Sequence, residues 1–155
     1  MKRQTGGIII GFWLLLAVAH VIKGTLAQKI LEKQKNMVAY QRVINEELLR
    51  AVHAENLEQT EAIIKKGAYL NIHDEEGNTP LSIAIFYHNK KLIKLLLLHG
   101  ADLNYQNYDK STPLHVALEN GFFDIIDLLM PYNPNMSLKN NEGLTPIDIL
   151  SASQD

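Results

Sequence analysis

Six histidines and 17 Asp and Glu residues are the side chains of this 155-residue sequence best suited to acid–base or metal chemistry. Their spacing decides whether any of it is organised. His73-Asp74-Glu75 is the densest group, an imidazole beside two carboxylates that could move a proton near neutral pH. Glu76 adds a third carboxylate, but Gly77 and Asn78 do not extend the run into a calcium loop, so the stretch reads as a solvated acidic turn. His53, His88, His99 and His115 are scattered, and no His-x3-His or His-Glu-x2-His spacing sets two ligands on one helical face. The sequence has no cysteine, which removes thiolate zinc sites, Cys nucleophiles and disulfides. It also has no Gly-rich phosphate cradle and no nucleophile elbow. The expectation is a non-catalytic chain with no cofactor, no metal and no small-molecule substrate. An enzymatic reading would rest on His73, Asp74 and Glu75 alone.

Charge is unevenly placed. Residues 46–155 carry 8 basic and 16 acidic side chains, a balance of −8, whereas residues 28–45 carry 4 basic and 1 acidic, a balance of +3. The acidic part argues against a nucleic-acid ligand and for a protein partner with a basic surface.

After Lys2 and Arg3 no Lys, Arg, Asp or Glu occurs before Lys23, and Ile8 through Ile22 is almost continuously apolar. As a helix, the stretch from Gln4 to Ile22 would reach roughly 28 Å, against a hydrocarbon core of about 30 Å. Residues 1–27 therefore read either as a transmembrane anchor spanning 4–22 or as a signal peptide cut after Thr25-Leu26-Ala27. Either reading makes the protein exported or membrane-anchored. The remainder is expected outside the cytoplasm, which in a bacterium means the periplasm. Residues 28–45 place Ile30, Leu31, Met37, Val38 and Ile44 at helical spacing among Lys29, Lys33, Lys35 and Arg42, which predicts an amphipathic helical stalk. A basic helix lying on an anionic lipid surface is the alternative.

Beyond residue 45 the organisation is periodic. Thr79-Pro80-Leu81-Ser82 returns as Thr112-Pro113-Leu114-His115 and as Thr145-Pro146-Ile147-Asp148, each step being 33 residues. Leu48, Leu81 and Leu114 match, as do Ala51, Ala84 and Ala117, and Gly67-Ala68 matches Gly100-Ala101. A fixed period of this kind means stacked copies of one supersecondary unit. Thr before Pro predicts a capped helix start. Gly67 and Gly100 predict left-handed helix ends, with Asn133 in the corresponding place. Leu95-Leu96-Leu97-Leu98-His99-Gly100-Ala101-Asp102-Leu103-Asn104 and the Thr-Pro-Leu-His motif resemble the ankyrin repeat over about residues 46–155.

That resemblance implies an all-α solenoid of helix-turn-helix units with β-turn fingers, following an N-terminal apolar helix. The units would be 46–78 as N-terminal cap, 79–111, 112–144, and a partial 145–155 in which Ile147, Ile149 and Leu150 cover the third repeat. It implies a structural role for His115. It also implies partner binding through finger tips and the exposed side of the first helices. By position these are Glu75, Glu76, Asn78, Tyr105, Tyr108, Asp109, Ser111, Asn141 and Glu142 on the fingers, and Phe86, Tyr87, Glu119 and Asn120 on the helices, with Tyr105, Tyr108 and Phe86 as anchors. Lys110 stands where the other fingers have Gly77 and Gly143, so the middle finger is expected to bend differently. The function implied is an adaptor, inhibitor or immunity-type binder. The alternative is a structural subunit of a membrane-associated complex, docked through its incomplete C-terminal repeat.

Overall fold

The computed structural model describes the backbone of residues 5–152 and the side chains of residues 18–152. Among these, seven α-helices follow one another: α1 (Thr5–His53), α2 (Leu57–Lys65), α3 (Pro80–Phe86), α4 (Lys90–Leu98), α5 (Pro113–Glu119), α6 (Phe123–Leu129) and α7 (Pro146–Ala152). A 3-10 turn at Met130–Tyr132 follows α6, and no strand occurs among the described residues.

The chain divides into two units, Met1–Arg42 and Val43–Asp155. In the first, α1 is the only element, and its side chains from Val18 through Tyr40 are all exposed. The stripe of Ile30, Leu31, Met37 and Val38 is therefore open, whereas Ile44, in the second unit, is buried. Among the described residues no helix is long and apolar enough to cross a membrane. The expected span at 4–22 and the signal or anchor at 1–27 fall largely on side chains outside the described residues.

In the second unit every helix after α1 is only seven to nine residues long. Helices this short do not persist alone in water, so capping and packing must hold them. Thr79 Oγ1 accepts from Ser82 N (3.3 Å), Thr112 Oγ1 from His115 N (3.4 Å) and Thr145 Oγ1 from Asp148 N (3.2 Å). The prolines that follow sit where no intrahelical N–H is missed. The second helices are capped by another residue type: Asn56 Oδ1 accepts from Gln59 N and Asn89 Oδ1 from Leu92 N. Phe122 holds the equivalent place before α6 and makes no side-chain cap bond.

Packing follows the period. α3 lies against α4 and α5, α5 against α6 and α7, and α2 against α4. Leu48, Leu81, Leu114, Leu92, Leu96, Ile125 and Leu129 are sealed from solvent between them. Ala51, Ala84 and Ala117 are equally buried, and the carbonyl of each accepts from the residue five further on (Asn56, Asn89, Phe122) at 2.9 Å. A side chain larger than methyl there would push neighbouring helices apart. Ile147 departs from expectation. On α7 it faces solvent at 52% exposure, and Pro146 is buried instead, with Ile149 and Leu150 half-buried.

Among the described residues, those with positive φ fall in three sets of three, 33 residues apart. They are Glu55, His88 and Gly121 between paired helices; Gly67, Gly100 and Asn133 after the second helices; and Gly77, Lys110 and Gly143 in the fingers. Asn133 thus does take the left-handed position. Lys110, at φ +56°, adopts the same left-handed region as its glycine counterparts, so the middle finger is not bent differently. The backbone conformation is imposed by the finger's hydrogen bonds, and lysine accepts the strain.

At Gly77 strain and space act together. Its φ is +81°, and a Cβ there would lie 2.7 Å from the backbone nitrogen of Tyr108. Gly77→Ala should therefore destabilise by about 2 kcal/mol or more. Lys110→Gly relieves a left-handed β-carbon and should be neutral to stabilising by up to about 1 kcal/mol. Urea denaturation midpoints of the two variants check both signs.

Candidate functional site

Each finger is built on one side-chain oxygen. Asp74 Oδ1 accepts from Glu76 N (3.0 Å) and Asn78 N (2.8 Å), Asn107 Oδ1 from Asp109 N (3.1 Å) and Ser111 N (2.9 Å), and Asn140 Oδ1 from Glu142 N (3.1 Å) and Leu144 N (3.0 Å). The ends of each loop are then joined by a backbone bond from residue 74, 107 or 140 to residue 78, 111 or 144 at 3.0–3.1 Å. The expected solvated acidic turn holds for Glu75 and Glu76, which are exposed. It does not hold for Asp74, which is half-buried and serves as the first finger's acceptor.

Neighbouring fingers are stitched together. Asn107 Nδ2 donates to Asn78 Oδ1 (3.1 Å), Asn141 Nδ2 to the Tyr108 carbonyl (3.1 Å), and Gln106 Nε2 to the Lys139 carbonyl (3.0 Å). Asn71 and Asn104 accept from the backbone of the following repeat at Asp102 N (2.8 Å) and Asn135 N (2.7 Å). His115 is buried and structural: Nδ1 receives the Thr112 N–H (3.2 Å), leaving Nε2 to donate to the Leu144 carbonyl (3.1 Å).

Between fingers and first helices lies a depression of about 390 Å³ with Ser82, Ile83 and Val116 along its lining. It collects Glu76, Asn78, Phe86, Tyr87, Asp109, Glu119 and Asn120 of the residues expected from sequence, together with His53 and Asp74. Phe86 is 62% exposed and meets Tyr87 edge to face at 5.6 Å between centroids, so the ring is not tucked into the core. A second depression of about 390 Å³ shares Asp109 and Glu119 and adds Ser111, Asn141, Glu142 and Leu144.

Tyr105, Tyr108 and Glu75, also expected from sequence, lie outside these linings. Tyr105 and Tyr108 line neither depression; both gather on His73, Tyr108 at 5.5 Å and Tyr105 at 6.3 Å between ring centroids. Tyr108 also covers Gly77. Glu75 is exposed outside both linings. Ser111 is buried, with its hydroxyl 3.5 Å from Glu119 Oε1, so it belongs to the fold. The Asn120 side chain is turned back onto the Val116 carbonyl at 2.8 Å.

Electrostatically the groove is one-sided. Asp74 has His53 Nε2 at 3.9 Å, while among the described residues Glu76, Asp109, Glu119 and Glu142 have no ion-pair partner. Away from the groove, Asp124 is differently placed. The Lys90 ammonium and then the His88 imidazole, at 2.9 Å, hydrogen-bond its carboxyl and hold it well below the usual carboxylate range, at about 2. The histidine pairing was not visible from spacing, because His88, in the turn before α4, and Asp124, on α6, are 36 residues apart and meet only in the folded chain. Among the described residues no group of His, Cys, Asp and Glu is arranged to hold a metal ion.

Short helix pairs, repeated at a fixed period and joined by hydrogen-bonded turns beside a lined groove, define a helical-repeat scaffold of the binding type. The sequence model described as ankyrin repeats (3 copies) matches residues 16–107, 48–140 and 89–154, and the chain belongs to the ankyrin-repeat family. Such repeats are protein–protein interaction modules and are typically non-catalytic. Comparison with curated proteins gives no match.

Because the Asp124 pKa is lowered from 3.8 to about 2, its stabilising contribution is complete above the unfolded value and is lost as pH falls through that interval. The thermal midpoint of the wild type should fall more steeply than that of Asp124→Asn over this acid window. The difference between the two should vanish at its lower end. Thermal melts of both proteins across the window check the sign.

Proposed function

We propose that this protein is a non-catalytic binder that is exported or membrane-tethered through its N-terminal apolar segment and masks or recruits a partner with a basic surface. The observation that carries the binding part is the groove. An exposed Phe86 and Tyr87 stand beside carboxylates without ion pairs, on a surface held by the finger network. Aromatic rings at such positions are effective interface anchors, and unpaired carboxylates steer a cationic partner toward them. Phe86 and Tyr87 are the anchors on this reading, since Tyr105 and Tyr108 face His73 instead. An adaptor, an inhibitor and an immunity-type protein would all use such a surface in the same way.

Export or tethering is supported by the sequence alone, through Lys2-Arg3 and the uncharged stretch that follows up to Lys23. The repeats would then face the extracytoplasmic side. A second reading, docking as a subunit of a larger assembly, draws on an apolar depression of about 270 Å³ between α5, α6 and α7. Leu114, Leu118, Phe123, Ile126 and Met136 line it, and Phe123 is 60% exposed.

Quantitative pull-down with the full chain, expressed in a secreting host and compared with Phe86→Ala, tests the binding reading. Partner recovery should fall by about tenfold or more, the usual cost of truncating an aromatic anchor, while the thermal midpoint stays within about 2 °C. Undiminished recovery would remove the groove from the account. Intact mass of the same product tests the export reading: a soluble chain starting at Gln28 or an unprocessed chain in the membrane fraction supports it, whereas an unprocessed chain in the cytosol contradicts it.

A further inference from the structure

We infer that the groove selects an extended peptide segment with one central Lys or Arg flanked by apolar side chains, and that Asp109 and Glu119 together choose the cation. The inference rests on the reading of the groove as the partner site. Both depressions are lined by Asp109 and Glu119, which therefore form the partition between them. Phe86, Ile83 and Val116 give the first depression an apolar side, and Leu144 and Ile149 do the same for the second.

The period explains why the cation belongs at the partition. The finger row reads Glu76, Asp109, Glu142, whereas the helix row at the same spacing reads His53, Phe86, Glu119. Only α5 therefore supplies a carboxylate from the helix side, opposite one from a finger. Both are exposed, and neither is ion-paired among the described residues. The protein groups hydrogen-bonded to the Glu119 carboxylate are the neutral Ser111 hydroxyl and Asn140 amide, each at 3.5 Å, which leaves its charge uncompensated. A cation placed there gains a carboxylate from each wall of the groove, one from a finger and one from a first helix. In an extended segment, side chains two positions apart share a face. The pattern read by the groove is therefore apolar-x-(Lys or Arg)-x-apolar, with one apolar side chain on each side of the partition.

The test is selection of random eight-residue peptides displayed on phage against the full chain, followed by titration of the selected peptides against Phe86→Ala and against the double variant Asp109→Asn, Glu119→Gln. The expected result is enrichment of Lys or Arg at one position, with apolar residues two positions to either side. Affinity should then drop by about tenfold or more on the double variant, the scale of losing a charge-assisted hydrogen bond. Both altered carboxylates are exposed, so an unchanged thermal midpoint shows that folding is not the cause. Peptides that depend on Phe86 but show no basic preference, or that bind the double variant as well as the wild type, overturn the inference and leave the groove reading intact. Peptides indifferent to all three substitutions, or no enrichment at all, overturn both.

Discussion

The arrangement of the grooved surface depends on a single kind of interaction, a side-chain oxygen at the start of each finger that accepts two backbone N–H groups from the same loop. Asp74, Asn107 and Asn140 do this at 33-residue intervals. A turn of this shape leaves N–H groups pointing inward with no backbone carbonyl to meet them, and leaving them unsatisfied would cost about 1–3 kcal/mol each. The acceptor fixes the loop, the fixed loop forces a left-handed residue at Gly77, Lys110 and Gly143, and the next finger is then placed to bond with the last. Asn107 joins both levels. Its oxygen holds its own finger, while its amide donates to Asn78 of the preceding one.

Rigidity of this kind has a functional consequence. A surface already ordered before a partner arrives loses less conformational entropy on binding, so modest contacts suffice for useful affinity. The helices contribute the other wall, with Phe86 and Tyr87 on and just after α3 and Glu119 at the end of α5, each held by a capped first turn and a sealed core beneath. Residues of similar chemistry are placed to different ends. Asp74 holds a finger and Asp124 joins α6 to His88 and Lys90, while Asp109 and Glu119 are left to face the groove.

The period was open to reading because the residues that enforce it are unusual ones: Thr-Pro at the helix starts, buried Ala at the crossings, Gly at two of the helix ends. The same logic explains what could not be read. Glu55 and His88 occupy left-handed positions whose third member is Gly121, and Lys110 does so between two glycines. A residue that tolerates strain leaves no mark in its type. The finger acceptors at Asp74, Asn107 and Asn140 share the period and could have been found by it, but Asp74 sits inside an acidic run that invites a different explanation. Ser111 and Tyr108 illustrate the limit of position-based transfer. Both sit on the finger or its exit, yet one is buried under Glu119 and the other covers Gly77, because contacts between repeats decide where a side chain points.

Amide hydrogen exchange in Asn107→Ala, compared with the wild type, tests the dependence of the surface on these side-chain acceptors most directly. The account predicts faster exchange at Asp109 and Ser111, whose N–H groups lose their acceptor. Exchange at Asn141, whose amide donates to the Asp109 carbonyl at 2.8 Å, should also quicken, with the amides of α4 little changed. Unaltered exchange at all three positions would show that the fingers keep their form without the asparagine and would contradict the account.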